Sequence, residues 1–245
     1  MAAQKSMART LFGGIWSVLN FSRKLFFNLI FILIVVAIII GIASEEGKIE
    51  VPKDSALILN LNGELVIEKT AVDPFAQFMQ EAFEEKEENP EVLLRDVLFT
   101  IDNAKHDKRI KAMVLDLQGL QHGGLDKLQQ IGDALDSFKE SGKPIYAIGD
   151  YFSQEQYYLA AHANHLYMNP MGWMILDGYG RYRLYFKSML EKLKATTHVF
   201  RVGTFKSAIE PFIRDDMSDA AKQANQAWLD ALWSQYKADV AQARG

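Results

Sequence analysis

The stretch 200–216, FRVGTFKSAIEPFIRDD, holds the residues with the clearest chemical potential in this 245-residue chain. Its apolar start reads as a strand over His198–Val202, which Gly203 closes. Ser207, with Glu210 three residues on, has the spacing of a capping box that opens a short helix. Lys206 then falls at a strand-to-helix junction, where functional groups of α/β sheets collect. Partial burial and the positive end of a helix both disfavour an ammonium and lower a lysine pKa. A neutral amine can take the proton of a serine hydroxyl in place of the histidine of a triad. A solvated surface lysine is the competing reading, and spacing alone does not choose between them.

Other motifs carry less. Gly178-Tyr-Gly180-Arg-Tyr-Arg183 starts like a dinucleotide loop but ends in arginine, and reads as a plain glycine turn. There is no P-loop, no HExxH and no G-x-S-x-G elbow. Ser234 and Lys237 match S-x-x-K without its partner motifs, and read as helix surface. His162 and His165 lack a carboxylate at ligand spacing, so packing or surface roles are expected and no metal site is assigned. The chain has no cysteine, which removes disulfides, thiol nucleophiles and Fe–S clusters.

The elements that must position Lys206 begin with an anchor. Leu25–Ala43 is an apolar run long enough to span the ~30 Å hydrocarbon core as a helix. Arg23 and Lys24 precede it and Glu45 and Glu46 follow, so the positive-inside rule places residues 1–24 in the cytoplasm and the remainder across the membrane. A cleaved signal peptide would have a shorter apolar run and a shorter leader. Phe12–Phe21 is weakly amphipathic, the pattern of a segment lying on the cytoplasmic face. Lys5, Arg9, Arg23 and Lys24 give the first 44 residues +4, and the whole-chain −4 therefore leaves −8 on the rest, which disfavours nucleic acid as a partner.

Residues 44–108 read as a hairpin, an acidic linker and a helix. Two β-rich runs flank Asn62-Gly63, a type I′ turn signature. The acidic stretch Asp73–Glu91 reads as a solvated spacer. Asn89-Pro90-Glu91 looks like an N-cap, an N1 proline and an early acid, opening a helix with Val92, Val97 and Ile101 on one face. From 109 to 245 strands and helices alternate, which implies an α/β domain with a largely parallel sheet. Strands are expected at 112–117, 145–149, 165–169 and 198–202. Helices are expected after Gly123-Gly124, after a Ser153/Gln156 capping box, over Leu184–Ala195, and after Ser218, the last with Ala221, Ala224, Trp228, Leu232 and Tyr236 on one side.

The lysine stretch, together with KPIYAIGDYFSQEQYYLA (143–160) and LDLQGLQHGGL (115–125), resembles the protease IV family of signal peptide peptidases in its long, tandem-domain proteobacterial form. The resemblance runs the length of the chain. It implies a crotonase/ClpP-like fold of stacked ββα units behind a single transmembrane helix, with subunits assembling into a homo-oligomer. It implies a serine endopeptidase of the bacterial inner membrane, its main domain periplasmic, acting on hydrophobic peptides such as signal peptide remnants. No cofactor is implied. Lys206 matches the family's general-base lysine, whereas the nucleophilic serine belongs to a second half that follows Gly245. Family domains with the nucleophile carry serine and two glycines before a Tyr-Tyr pair; here Gln154-Glu155-Gln156 precede Tyr157-Tyr158, so no nucleophile is assigned in this chain. Ser153 is one residue out of register and reads as a helix cap. Gly123-Gly124 reads as a turn or a structural remnant, with the oxyanion hole in the other half. The chain alone is expected to be inactive. The alternative is a non-catalytic membrane-anchored scaffold or peptide-binding domain.

Overall fold

Residues 7–43, 51–71, 90–200, 202–203 and 206–245 are described by the computed structural model. The chain divides into two units, Met1–Val51 and Pro52–Gly245. The acidic spacer, apart from its last two residues, and the carboxylates at 45 and 46 lie outside the described residues.

In the first unit, one uninterrupted helix, α1, runs from Met7 to Ala43. At 1.5 Å per residue its 37 residues reach about 55 Å, well beyond a hydrocarbon core. Phe12–Ile40 is long and apolar enough to cross a membrane. Large side chains such as Phe31, Ile34 and Ile39 stand exposed along it, as on a helix whose partner is lipid or another chain. Phe12–Phe21 is no separate surface segment. It continues into the apolar run without a break, since no proline interrupts the helix.

The second unit holds two parallel sheets. Strands β1 (Ser55–Asn60), β4 (Ile110–Asp116), β6 (Ile145–Phe152) and β7 (His165–Met174) form one, in the order β1-β4-β6-β7. Strands β2 (Gly63–Val66), β3 (Glu91–Leu93) and β5 (Leu120–His122) form the other, in the order β3-β2-β5. All pairs are parallel, with Ile58 opposite Val114, Met113 opposite Ile145 and Glu64 opposite His122 among the registers. The chain visits the first sheet, the second sheet and then a helix: β1, β2 and, after β3, α2 (Leu94–His106), followed by β4, β5 and α3 (Leu125–Lys139). That succession is the stacked ββα arrangement that the family resemblance implies.

The expected hairpin is not formed. Asn62-Gly63 passes the chain from one sheet to the other, and the Gly63 N–H donates to the Gly119 carbonyl at 2.8 Å, where the second ββα unit makes the same passage. Gly63 has φ +114°, and a Cβ there would lie 1.8 Å from the Pro90 carbonyl oxygen. Glycine is required by this close approach, not by a hairpin turn. Pro90 likewise opens no helix. Its carbonyl accepts from the Glu64 N–H at 2.9 Å, Glu91–Leu93 pairs with β2, and α2 starts only at Leu94.

Leu59, Leu115 and Ala147 from the four-stranded sheet, Leu65 of the smaller sheet, and Leu128, Ile131, Leu135 and Phe138 of α3 are all buried in the core. Each such leucine or phenylalanine contributes about 1.5–3 kcal/mol on burial. The short helix α4 (Gln154–Ala161) buries Tyr158, Leu159 and Ala160. Helix α5 covers Lys187–Lys192, shorter than the expected 184–195, and is followed by α6 (Glu210–Ile213) and the long α7 (Asp219–Arg244). The expected strand at 198–202 is absent among the described residues. The larger sheet ends at β7, and Phe200 and Val202 are 98% and 84% exposed instead of pairing along it. On α7 the expected stripe is only partly buried. Ala221 and Tyr236 pack inward, whereas Ala224 and Trp228 face outward.

Candidate active site

Lys206 is exposed, with its aliphatic stem folded over Gly203, whose φ is +106°. The partial burial expected of it is not supplied by this chain, and the missing strand means it does not sit at a strand end. The backbone after it is held from two sides. Arg183 donates to the carbonyls of Ser207 (3.2 Å) and Ala208 (3.3 Å). Glu210, 2% exposed at the start of α6, accepts from the Ser218 N–H at 3.2 Å and from the Ser218 hydroxyl. Ser218 in turn caps α7 by accepting from the Ala221 N–H. The expected Ser207/Glu210 capping box is therefore replaced. Ser207 accepts the Glu210 N–H through its backbone carbonyl, and the Glu210 carboxylate ties α6 to the next helix.

At the start of α4, Ser153 and Gln156 form the expected capping box: the Ser153 hydroxyl accepts from the Gln156 N–H, and Gln156 Oε1 accepts from the Ser153 N–H at 2.9 Å. Gln156 Nε2 also donates to the Leu120 carbonyl, fixing the helix against β5. Gln154, which the resemblance sets in the place of a nucleophile, is clasped to Gly178: Oε1 accepts the Gly178 N–H at 2.7 Å and Nε2 faces the Gly178 carbonyl at 3.4 Å. The stretch 178–183 thus touches both places, Gly178 holding Gln154 and Arg183 holding the turn after Lys206. Sequence reading named the glycines of that stretch as a plain turn and missed the clasp and the guanidinium.

Tyr158 and Tyr236 pin α4 to α7. Tyr158 donates to Asp239 at 2.7 Å and Tyr236 to the Gln154 carbonyl at 2.8 Å, and burial pushes both phenols well above their ordinary pKa. His162 is buried with Nδ1 3.0 Å from Asp136, whereas His165 is exposed and stacked on Tyr146. They share no ligand site, and among the described residues no group of three metal-ligating side chains occurs. Ser234 and Lys237 lie on the outer surface of α7, as expected. On the outer face of the larger sheet an open groove of about 700 Å³ is lined by Ile58, Ile148, Tyr167 and Met168 beside Asp116 and Asp150.

Comparison with known proteins matches the segment that carries these residues. Residues 137–245, which include α4, Arg183 and Lys206, match peptidase family S49. The chain is 40% identical to Protease 4 of Salmonella typhi over 225 residues, 90% of this chain and 36% of the relative. It is also 40% identical to Protease 4 of Haemophilus influenzae over 232 residues, 94% of this chain and 38% of the relative. The chain thus carries a peptidase family S49 segment over residues 137–245. It spans less than two-fifths of the length of these two relatives. A chloroplastic serine protease SPPA of Arabidopsis thaliana is 28% identical over 142 residues, 58% of this chain and 21% of the relative. A solved structure assigned to the enoyl-CoA hydratases/isomerases, from Acinetobacter baumannii, has a TM-score of 0.28 and 13% identity, covering 62% of this chain and 78% of that one. Within the S49 segment, Ser153 is committed to its cap and Gln154 to Gly178.

Proposed function

We propose that this chain is part of a membrane-anchored serine peptidase in which Lys206 is the general base of a Ser-Lys dyad. The observation that carries the proposal is the place of Lys206. It lies inside the S49 segment, on an exposed turn whose backbone is held by Arg183 and Glu210. On this reading the nucleophilic serine comes from a further part of the protein, which covers the exposed amine and removes water from it.

Neutral Lys206 Nζ takes the proton of the serine hydroxyl as its oxygen bonds to the peptide carbonyl carbon, and the C=O electron pair moves onto oxygen. Backbone N–H donors hold that oxyanion. Its collapse breaks the C–N bond, the leaving amine takes the proton from Lys206, and an ester remains. Lys206 then takes a proton from water as it attacks the ester, and returns it to the departing serine oxygen. No step uses a metal or a nucleotide. The substrates are hydrophobic peptides such as signal peptide remnants, which α1 would bring within reach by holding the enzyme at the bilayer of the bacterial inner membrane. Residues before the span are then cytoplasmic and the second unit periplasmic, assembled as a homo-oligomer.

The open groove lined by Ile58, Ile148 and Tyr167 favours a second reading, a non-catalytic peptide-binding domain. Lys206→Met in the complete protein separates the two. The dyad requires hydrolysis of a signal-peptide substrate to fall about 10²–10⁴-fold, with the fold intact by circular dichroism. The 1–245 chain alone should take no fluorophosphonate label. Unchanged hydrolysis by the variant overturns the assignment.

A further inference from the structure

Two consecutive backbone amides converge on one carboxylate. Glu155 Oε2 accepts from the Gly123 N–H at 2.6 Å, and Oε1 accepts from the Gly124 N–H at 3.4 Å. The same Oε1 lies 3.0 Å from His122 Nδ1. These amides enter the 15-residue α3, whose first-turn N–H groups and dipole favour negative charge. Neither glycine can be replaced without cost. Gly124 has φ +73°, and a Cβ on Gly123 would come 2.9 Å from Leu128 and 3.0 Å from Leu65. One residue before Glu155, Gln154 closes over Gly178 in the same fashion. Successive side chains of the first turn of α4 therefore seal the backbone on both of its flanks.

We infer that Glu155 is a built-in occupant of a two-amide oxyanion cradle, holding Gly123 and Gly124 shut against any external carboxylate or peptide oxyanion. The two amides address the two oxygens of one carboxylate, the closer at 2.6 Å, and adjacent backbone donors of this kind are the groups that stabilise a developing oxyanion. A resident carboxylate already carries the full charge, and a neutral peptide carbonyl does not displace a charge-assisted bond. Peptide turnover must then draw its oxyanion donors from elsewhere in the protein. The inference stands whether or not Lys206 is the general base.

The test uses the 1–245 chain in detergent micelles, amide NMR spectra and acetate as the probe. In the native chain the Gly123 and Gly124 cross-peaks should stay in place as acetate is added. In Glu155→Ala both should move saturably, with acetate binding there at least about tenfold tighter than to the native chain, the scale of one charge-assisted hydrogen bond. In Glu155→Gln the Gly123 amide proton should move upfield while staying protected from exchange, because a neutral oxygen replaces the carboxylate. Acetate shifting both amides of the native chain as readily as those of Glu155→Ala overturns the inference. So does a folded Glu155→Ala whose two amides ignore acetate. If Glu155→Ala does not fold, Glu155→Gln decides: an unmoved Gly123 proton refutes the contact.

Discussion

Arg183 Nη1 donates to the backbone carbonyl of Ser207 at 3.2 Å, and Nη2 donates to that of Ala208 at 3.3 Å, so one guanidinium spans the two peptide units that follow Lys206. A planar fork does this where a point-charge ammonium cannot. Arg183→Met should leave the fold intact but loosen the turn. In the complete protein we expect kcat to fall by about tenfold with KM little changed, since a displaced base weakens the transition state more than substrate binding. Arg183→Lys should recover only part of that loss. Equal falls in both variants, or a change confined to KM, would remove Arg183 from the positioning of Lys206.

Ser153 gives a contrasting case. Its hydroxyl satisfies the Gln156 N–H at the start of α4, and the reciprocal bond from the Ser153 N–H completes the box. Ser153→Ala should cost about 1 kcal/mol of stability in urea denaturation and leave peptide hydrolysis by the complete protein unaltered. Loss of hydrolysis without loss of stability would instead point to Ser153 as a nucleophile.

Local signals in the sequence were reliable where one short-range bond decides the structure. The Ser153 and Ser218 caps and the strand-helix alternation from Ile110 to Ala161 all formed. The hairpin and the Pro90 helix start failed for one cause, partners distant in sequence. Asn62-Gly63 has hairpin composition, yet β1 finds β4 and β2 finds β3 and β5, so parallel pairing overrode the local turn preference. Pro90 looked like a helix start, but its carbonyl belongs to Glu64. At the site, the position of Lys206 in a chemically suggestive stretch was readable. Its supports were not, since Arg183 reaches the Ser207 carbonyl across 24 residues and the Glu210 carboxylate bonds forward to Ser218.

Gly63 tests the non-local reading. A Cβ 1.8 Å from the Pro90 carbonyl oxygen cannot be relieved by a side-chain rotation, because the obstacle is backbone, at the residue just before the neighbouring strand. Gly63→Ala should therefore part β2 from β3 and destabilise the second unit by about 2–4 kcal/mol, read from thermal unfolding. A hairpin turn would predict a milder effect, and the adjacent Asn62→Ala serves as its control. If both substitutions cost the same few tenths of a kcal/mol, the close approach is not as described.

Asp107 supplies a prediction in pH. Arg109 donates to its carboxylate from the backbone N–H at 2.8 Å and from the guanidinium at 2.7 Å, and these bonds hold the Asp107 pKa down to about 2. The unfolded chain, with an ordinary aspartate near ~3.9, takes up the proton first as pH falls. The contribution of Asp107 to stability is thus complete above pH ~4 and disappears as pH drops towards 2. Carboxyl carbon shifts should show Asp107 titrating near 2 in the native chain. In Arg109→Leu the backbone bond survives but the guanidinium bonds, the largest cause of the shift, are lost, so the midpoint should climb most of the way back to the ordinary range. A variant midpoint that does not move would show that the backbone N–H alone sets the titration, and the guanidinium would have no part in it.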